Sequence, residues 1–225
     1  AILDDVIALL RREKMVEVRG ASQFVKSSFN FLVTDTGKKC GGELMEICRY
    51  AGPTPVTLED YKEMVENQSI RNITINSDVV DAAFSQIVIS ENLLRRLGPA
   101  ISSGAPMFIY GPPGNGKSSI SNGIRAALGD KIYIPRAIEY AGQVITVYDP
   151  IVHSAAEEDV DDPNSLRRTS GRFDTRYVKC ERPTVITGGE LSLSMLDLVY
   201  NPVARTYQAP LQLKSSGGIF IIDDL

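Results

Sequence analysis

The stretch Met107-Phe108-Ile109-Tyr110-Gly111-Pro112-Pro113-Gly114-Asn115-Gly116-Lys117-Ser118-Ser119-Ile120 decides how the rest of this chain is read. Met107 to Tyr110 is a short apolar run with strand character, and Ile120, Ile124 and Leu128 then recur at helical spacing. Between them, Gly111 to Ser118 fits G-x-x-x-x-G-K-[ST]. A glycine-rich turn lets backbone N–H groups approach phosphate oxygens without Cβ clashes, and the helix behind it points its positive end at the same place. In that setting Lys117 reaches the β- and γ-phosphates of a nucleotide, and Ser118 offers its hydroxyl oxygen to Mg2+. The expected nucleotide contacts are Gly111, Pro112, Pro113, Gly114, Asn115, Gly116, Lys117, Ser118 and Ser119.

The chain ends on a second signal, Gly217-Gly218-Ile219-Phe220-Ile221-Ile222-Asp223-Asp224-Leu225. Four apolar residues predict a buried strand that runs into two carboxylates, the arrangement called Walker B. In P-loop proteins an acid at such a strand's carboxyl end holds the Mg2+ that bridges the phosphates. Asp223 is the candidate for that role, so the expected metal ligands are Ser118 and Asp223.

Composition sets outer limits. At 225 residues and 24.6 kDa the chain has room for one or two domains, each with a sizeable core. A net charge of −4 and a pI near 5.2 argue against a surface that coats nucleic acid, though not against a small local contact. Cys40, Cys48 and Cys180 make no metal-ligand spacing, and reduced thiols in a cytoplasmic protein are the expectation. No apolar run approaches the roughly 20 residues that a membrane helix needs. The first residue is Ala1, inside a helical pattern, and the last follows directly on the paired acids, so the sequence reads as a piece of a longer protein.

From the amino end, Ala1 to Lys14 has the apolar face of a helix, Met15 to Arg19 alternates as a strand, Gly20 to Ser28 is loop, and Phe29 to Val33 is a second strand that makes a hairpin with the first. Val33-Thr34-Asp35-Thr36-Gly37-Lys38-Lys39 leads into a helix to Tyr50, with Cys40, Leu44 and Ile47 on one side. Helix, hairpin, then an L-T-x-x-G-like string and a basic helix resembles the second half of a winged-helix domain, with Val33 in place of Leu. The resemblance covers residues 1–50 and implies that Ala1 to Lys14 is the recognition helix and Gly20 to Ser28 the wing. Eight basic residues against seven acidic ones leave these residues a net of only +1. A docking surface for protein is therefore expected ahead of DNA, because duplex binding relies on phosphate neutralisation.

Ala51 to Pro55 punctuates the chain as a linker, and Thr57 to Asp60 opens a helix in capping-box style, so residues 51–76 read as linker and helix. Ser77 and Ser90 each precede a further helix, the second ending before Gly98-Pro99. Beyond the phosphate loop, Lys131 to Pro135 and Val144 to Tyr148 read as strands joined around Glu139 to Gly142. Ser154 to Phe173 turns polar, with Glu157, Glu158, Asp159, Asp161 and Asp162 ahead of Arg167, Arg168 and Arg172, as a solvated loop does. His153, the only histidine, has no cysteine at metal spacing and reads as non-catalytic. A helix from Glu190 to Tyr200 and a strand within Arg205 to Lys214 complete the expected elements.

"YGPPGNGKS" and "GGIFIIDDL" resemble the Walker A loop and Walker B strand of AAA+ ATPases, over about residues 77–225. The resemblance implies an α/β fold: a P-loop NTPase three-layer core with a parallel sheet in strand order 5-1-4-3-2, preceded here by the partial winged-helix α+β segment. It implies ATP and Mg2+ as cofactors, a homo-oligomeric ring, often a hexamer, and hydrolysis that remodels a protein or nucleic-acid partner. Glu usually follows the Mg2+-binding Asp in these sites and orients the attacking water. Asp224 stands there instead, so Asp224 and Lys117 are the expected catalytic residues of an ATPase with reduced or switch-like turnover. The sensors, arginine finger and helical lid implied by the family would follow Leu225. An ATP-switched DNA-binding regulator and a small-molecule kinase of the P-loop class are the alternative readings. The kinase arrangement requires direct pairing of Met107–Tyr110 with Ile219–Ile222.

Overall fold

The computed structural model describes residues 2–21, 29–73, 75–112, 114, 116–156 and 174–223. The chain is of mixed α/β class and forms two compact units, one of residues 1–51 with 202–206 and one of residues 52–201 with 207–225. Among the described residues, no helix is long and apolar enough to cross a membrane.

In the first unit, α1 (Ile2–Arg12) leads into an antiparallel hairpin of β1 (Val16–Ala21) and β2 (Phe29–Val33), and α2 (Asp35–Ile47) follows directly. These are the expected elements. The first strand runs on through Gly20 and Ala21, and residues 22–28 of the expected wing lie outside the described residues. The Thr-x-x-Gly string has a structural purpose. Thr34 caps α2, its hydroxyl oxygen accepting from the Gly37 N–H at 3.1 Å and donating to the Lys14 carbonyl at 2.7 Å. A Cβ on Gly37 would stand 2.2 Å from the Met15 carbonyl oxygen, so only glycine lets α2 start this close to the α1–β1 turn. Leu44 and Ile47, expected on an apolar side, are exposed.

The second unit opens with β3 (Val56–Thr57) and α3 (Leu58–Asn67), whose first turn is capped by the Thr57 hydroxyl on Asp60 N–H at 3.1 Å. Then come α4 (Ser77–Phe84), α5 (Glu91–Ser102) and α6 (Lys117–Ala127). Asn76, rather than Ser77, caps α4, and Ser90 caps α5. Gly98-Pro99 does not end α5. Pro99 is exposed and removes only the bond to the Arg95 carbonyl, which water can satisfy, while Leu97 and Ile101 on either side are buried and hold the helix together. Val80, Phe84, Leu97, Ile101, Ile120 and Ile124 form the core shared by these helices.

The remaining strands are β4 (Lys131–Pro135), β5 (Ala137–Tyr140), β6 (Gln143–Thr146), β7 (Tyr177–Glu181), β8 (Thr184–Thr187), β9 (Val199–Asn201), β10 (Thr206–Gln208) and β11 (Ile219–Ile222), with α7 (Leu211–Lys214) before the last. A five-stranded sheet has the order β3-β5-β6-β10-β9, in which β3 with β5 and β6 with β10 are parallel and β5 with β6 antiparallel. Two separate pairs complete the set: β4 with β7, antiparallel, and β8 with β11, parallel. Where a parallel sheet is expected, the described residues show the parallel pairs β3 with β5, β6 with β10 and β8 with β11 alongside the antiparallel pairs β4 with β7 and β5 with β6.

Several local expectations are corrected. Met107 to Tyr110 is not a strand, because no described segment pairs with it; Phe108 and Tyr110 stack on each other with ring centroids 5.9 Å apart and stay exposed. The connection expected around Glu139 to Gly142 is the tight turn Ala141-Gly142, and the strand it joins to β6 is β5 rather than Lys131 to Pro135. The expected helix over Glu190 to Tyr200 is a 3-10 turn at Leu193–Leu196 followed by β9. Its apolar positions, Leu191, Met195 and Leu198, meet no core, and the Ser192 and Ser194 hydroxyls bond each other at 2.9 Å in place of helical packing. Pro210 stops β10 and opens α7, so Arg205 to Lys214 is strand only in its first part. The acidic run from Glu157 to Asp162, and Arg167, Arg168 and Arg172, lie outside the described residues.

Candidate functional site

The glycine loop ends where α6 begins. Gly114 (φ 83°) and Gly116 (φ 75°) occupy left-handed backbone that favours glycine, and Gly116 is the residue before the first helical turn. Lys117, Ser118 and Ser119 form that turn, and their N–H groups precede the first intrahelical bond, Ile120 N–H to the Gly116 carbonyl at 2.9 Å. The Lys117 ammonium folds back over the loop and donates to the Gly111 carbonyl at 3.1 Å and the Pro112 carbonyl at 3.4 Å. Pro113, Asn115 and Asp224 lie outside the described residues.

The second motif arrives on β11, which is half-buried rather than fully buried. Its register on β8 runs from Ile219 opposite Thr184 to Ile222 opposite Thr187, and the Asp223 N–H continues the ladder to the Thr187 carbonyl at 2.8 Å. That carries Asp223 to α6. The Ser118 hydroxyl donates to Asp223 Oδ2 at 3.0 Å across 105 residues of sequence. This is an ordinary O–H···O hydrogen-bond distance, and it brings the two expected metal ligands side by side. Among the described residues no group of three or more His, Cys, Asp or Glu could hold a metal ion. One serine and one carboxylate suit a cation that takes its other ligands from water and phosphate, which is the habit of Mg2+.

No protein-family model and no curated protein sequence matches the chain. The site therefore rests on its own geometry.

Two residues that sequence reading passed over sit beside Asp223. Thr187 is buried and donates its hydroxyl to Glu190 at 3.2 Å, and the Gly188 N–H donates to the same carboxylate at 2.9 Å. The Gly188 N–H, with the backbone N–H of Glu190 itself, holds the Glu190 carboxyl below its ordinary range. A Cβ on Gly188 would lie 3.1 Å from the Asp223 carbonyl oxygen, so the backbone passes the acid closely here. The signal was the β-branched run Thr184 to Thr187 stopped by Gly188-Gly189, which is strand punctuation. A cleft of about 570 Å3 between the start of α4 and α5, bordered by Val80, Leu94 and Arg95, shares no residue with this constellation.

His153 is buried, and both ring nitrogens are used: Nδ1 accepts from the Asp149 N–H at 2.9 Å and Nε2–H donates to the Lys214 carbonyl at 2.8 Å. The Tyr148 ring stacks on it, and Lys214 Nζ bonds Asp149 at 2.7 Å. This is a structural clasp holding α7, the element ahead of β11. Burial lowers the His153 pKa from its ordinary value, outweighing the Lys214 carbonyl and Asp149 charge that favour the imidazolium. The folded state therefore binds fewer protons here than the unfolded chain, and its stability falls as pH drops below the ordinary histidine value of about 6.5. The melting temperature is expected to fall between about pH 7.5 and about pH 5.5, and to fall less in His153→Gln, whose amide keeps a donor for Lys214 without titrating. Equal losses in the two proteins would assign the acid sensitivity to other groups.

Proposed function

We propose that the second unit binds ATP with Mg2+ and hydrolyses it, as an AAA+-type P-loop ATPase that remodels a protein or nucleic-acid complex. The observation that carries this reading is the Ser118–Asp223 hydrogen bond of 3.0 Å, which joins the glycine-loop helix to the acid-tipped strand. On this reading the N–H groups of the first turn of α6 and the Lys117 ammonium receive the phosphates, Ser118 and Asp223 hold Mg2+, and Asp224 orients the attacking water. Bound Mg2+ supplies charge neutralisation on the β- and γ-phosphate oxygens. The shorter Asp224 in place of Glu favours slow turnover.

Strand pairing favours this class over a small-molecule kinase. β11 pairs with β8, and residues 107–110 pair with neither, whereas the kinase arrangement needs Met107–Tyr110 beside Ile219–Ile222. Ile109 and Ile219 nonetheless pack against the same helical core.

Calorimetric titration with ATP, with and without Mg2+, tests the site. Asp223→Asn is expected to remove the gain in affinity that Mg2+ confers, about 10-fold or more, because a neutral amide is a poor ligand for this hard cation. Undiminished Mg2+ dependence in that variant would take Asp223 out of the metal site, and absence of ATP binding in the wild-type chain would end the nucleotide reading.

A further inference from the structure

The apolar pattern of strand β11 does little to fix its register. Shifting a strand by one residue moves every side chain to the opposite face, and proteins usually prevent it by an apolar and polar alternation. Ile219, Phe220, Ile221 and Ile222 are apolar on both faces, so a slip costs little in pattern. The next two residues, Asp223 and Asp224, are both aspartates, so a slipped strand would still carry a carboxylate at its end, only the wrong one. The ladder on β8 spans just four residue pairs.

We propose that Arg182 is a positioning residue that sets this register, and thereby holds Asp223, rather than its neighbour in sequence, against Ser118. The inference rests on the nucleotide-site reading above. Arg182 lies two residues before β8, and its side chain is 2% exposed. Nε and Nη2 donate to the two oxygens of Asp130, each at 2.6 Å, which fixes the plane of the guanidinium. Nη1 then donates to the Gln68 carbonyl at 3.0 Å and to the Gly217 carbonyl, two residues before β11. One side chain therefore ties the entry of one strand to the entry of the other, at the same end of a parallel pair.

The backbone beside this clasp leaves no slack. Ile219 N–H donates to the Pro183 carbonyl at 2.9 Å and Gly218 N–H to the Ser215 carbonyl at 2.8 Å. A Cβ on Gly218 would stand 2.0 Å from the Pro183 carbonyl oxygen. A slip that puts Asp224 in the place of Asp223 would bring Ile219 to this contact and would part Gly217 from Arg182. Lysine cannot replace the fork, because a single ammonium does not span a bidentate carboxylate and two carbonyls in one plane.

The test measures Mg2+-dependent ATP binding and thermal melts in the whole chain, for the wild type and for Arg182→Lys, Arg182→Met and Asp130→Asn, each with and without Asp223→Asn. Both Arg182 variants are expected to lose about 10-fold to 100-fold of the affinity gain from Mg2+, the range seen when residues behind a metal ligand are removed. Asp223→Asn should then add little further loss. Asp130→Asn, at a partner that is 42% exposed, keeps the guanidinium but loosens its plane, and a smaller loss in the same direction is expected; it decides the matter if the Arg182 variants do not fold. A folded Arg182 variant that keeps both the full Mg2+ gain and its sensitivity to Asp223→Asn would overturn the proposal, as would Asp130→Asn with wild-type behaviour when it alone folds. Failure of the wild type to bind Mg2+ and ATP would instead sink the site reading.

Discussion

Lys117→Ala is expected to weaken ATP binding by at least about 100-fold while leaving the melting temperature unchanged or slightly raised. The loss follows from charge: hydrogen bonds from a cation to phosphate are worth about 1.5–3 kcal/mol each, and two of them exceed the roughly 2.7 kcal/mol that a 100-fold change represents. The insensitivity of the fold follows from where the side chain sits. Among the described residues its ammonium donates to the Gly111 and Pro112 carbonyls, both at exposed residues, so no buried described partner is stranded when it goes. Lys117 is also the first residue of α6, where a cation opposes the positive helix end and alanine is the better helix former. Calorimetry and a thermal melt on the same sample separate the two effects. Retained affinity would remove Lys117 from the site, and a large drop in melting temperature would mean that the lysine supports the fold.

The site was more legible in the sequence than the sheet around it, and the reason is physical. Gly114, Gly116, Lys117 and Ser118 are constrained locally, by left-handed backbone and by the start of a helix, and local constraints leave local signatures. The same holds for Thr34 and Gly37, whose spacing encodes a cap and a close backbone approach, and for Thr57 at the start of α3. Strand identity depends on partners remote in sequence. Met107 to Tyr110 has the composition of a strand but no described partner, whereas Tyr177 to Glu181 went unread and pairs with Lys131 to Pro135 across a long gap. Leu191, Met195 and Leu198 carry a helical spacing that no core rewards. Arg182 carries no signal in the sequence, because nothing near it in the chain names Asp130, Gln68 or Gly217 as its partners.

Gly123→Ala sets two opposing effects against each other, and their sizes predict which wins. In an isolated helix the change from glycine to alanine stabilises by about 0.8–1.0 kcal/mol. Here the new Cβ would stand 2.3 Å from Phe84 Cε1 and 2.6 Å from Cδ1 and Cζ, well inside contact distance. Phe84 is 3% exposed and shares its core with Val80, Ile120 and Ile124, so its ring has no empty volume to move into. Overpacking of this kind costs about 1–3 kcal/mol, and this contact, shorter than any real Cβ shows, belongs at the upper end. The net expectation is a loss of about 1–2 kcal/mol, read as a fall in melting temperature of about 2–8 °C for a chain of this size. Asn122→Ala, one residue earlier on the exposed face of α6, gains the helix propensity without the clash and should melt at or above the wild type. Phe84→Leu in the Gly123→Ala background should return part of the loss by making room for the methyl group. Because α6 carries Lys117 and Ser118 on its first turn, a helix pushed off Phe84 also shifts both groups against Asp223, and the Mg2+ dependence of ATP binding should weaken with the melt. A Gly123→Ala protein that melts higher than the wild type would show that propensity outweighs packing, and that α4 and α6 lie further apart than the ring contact requires.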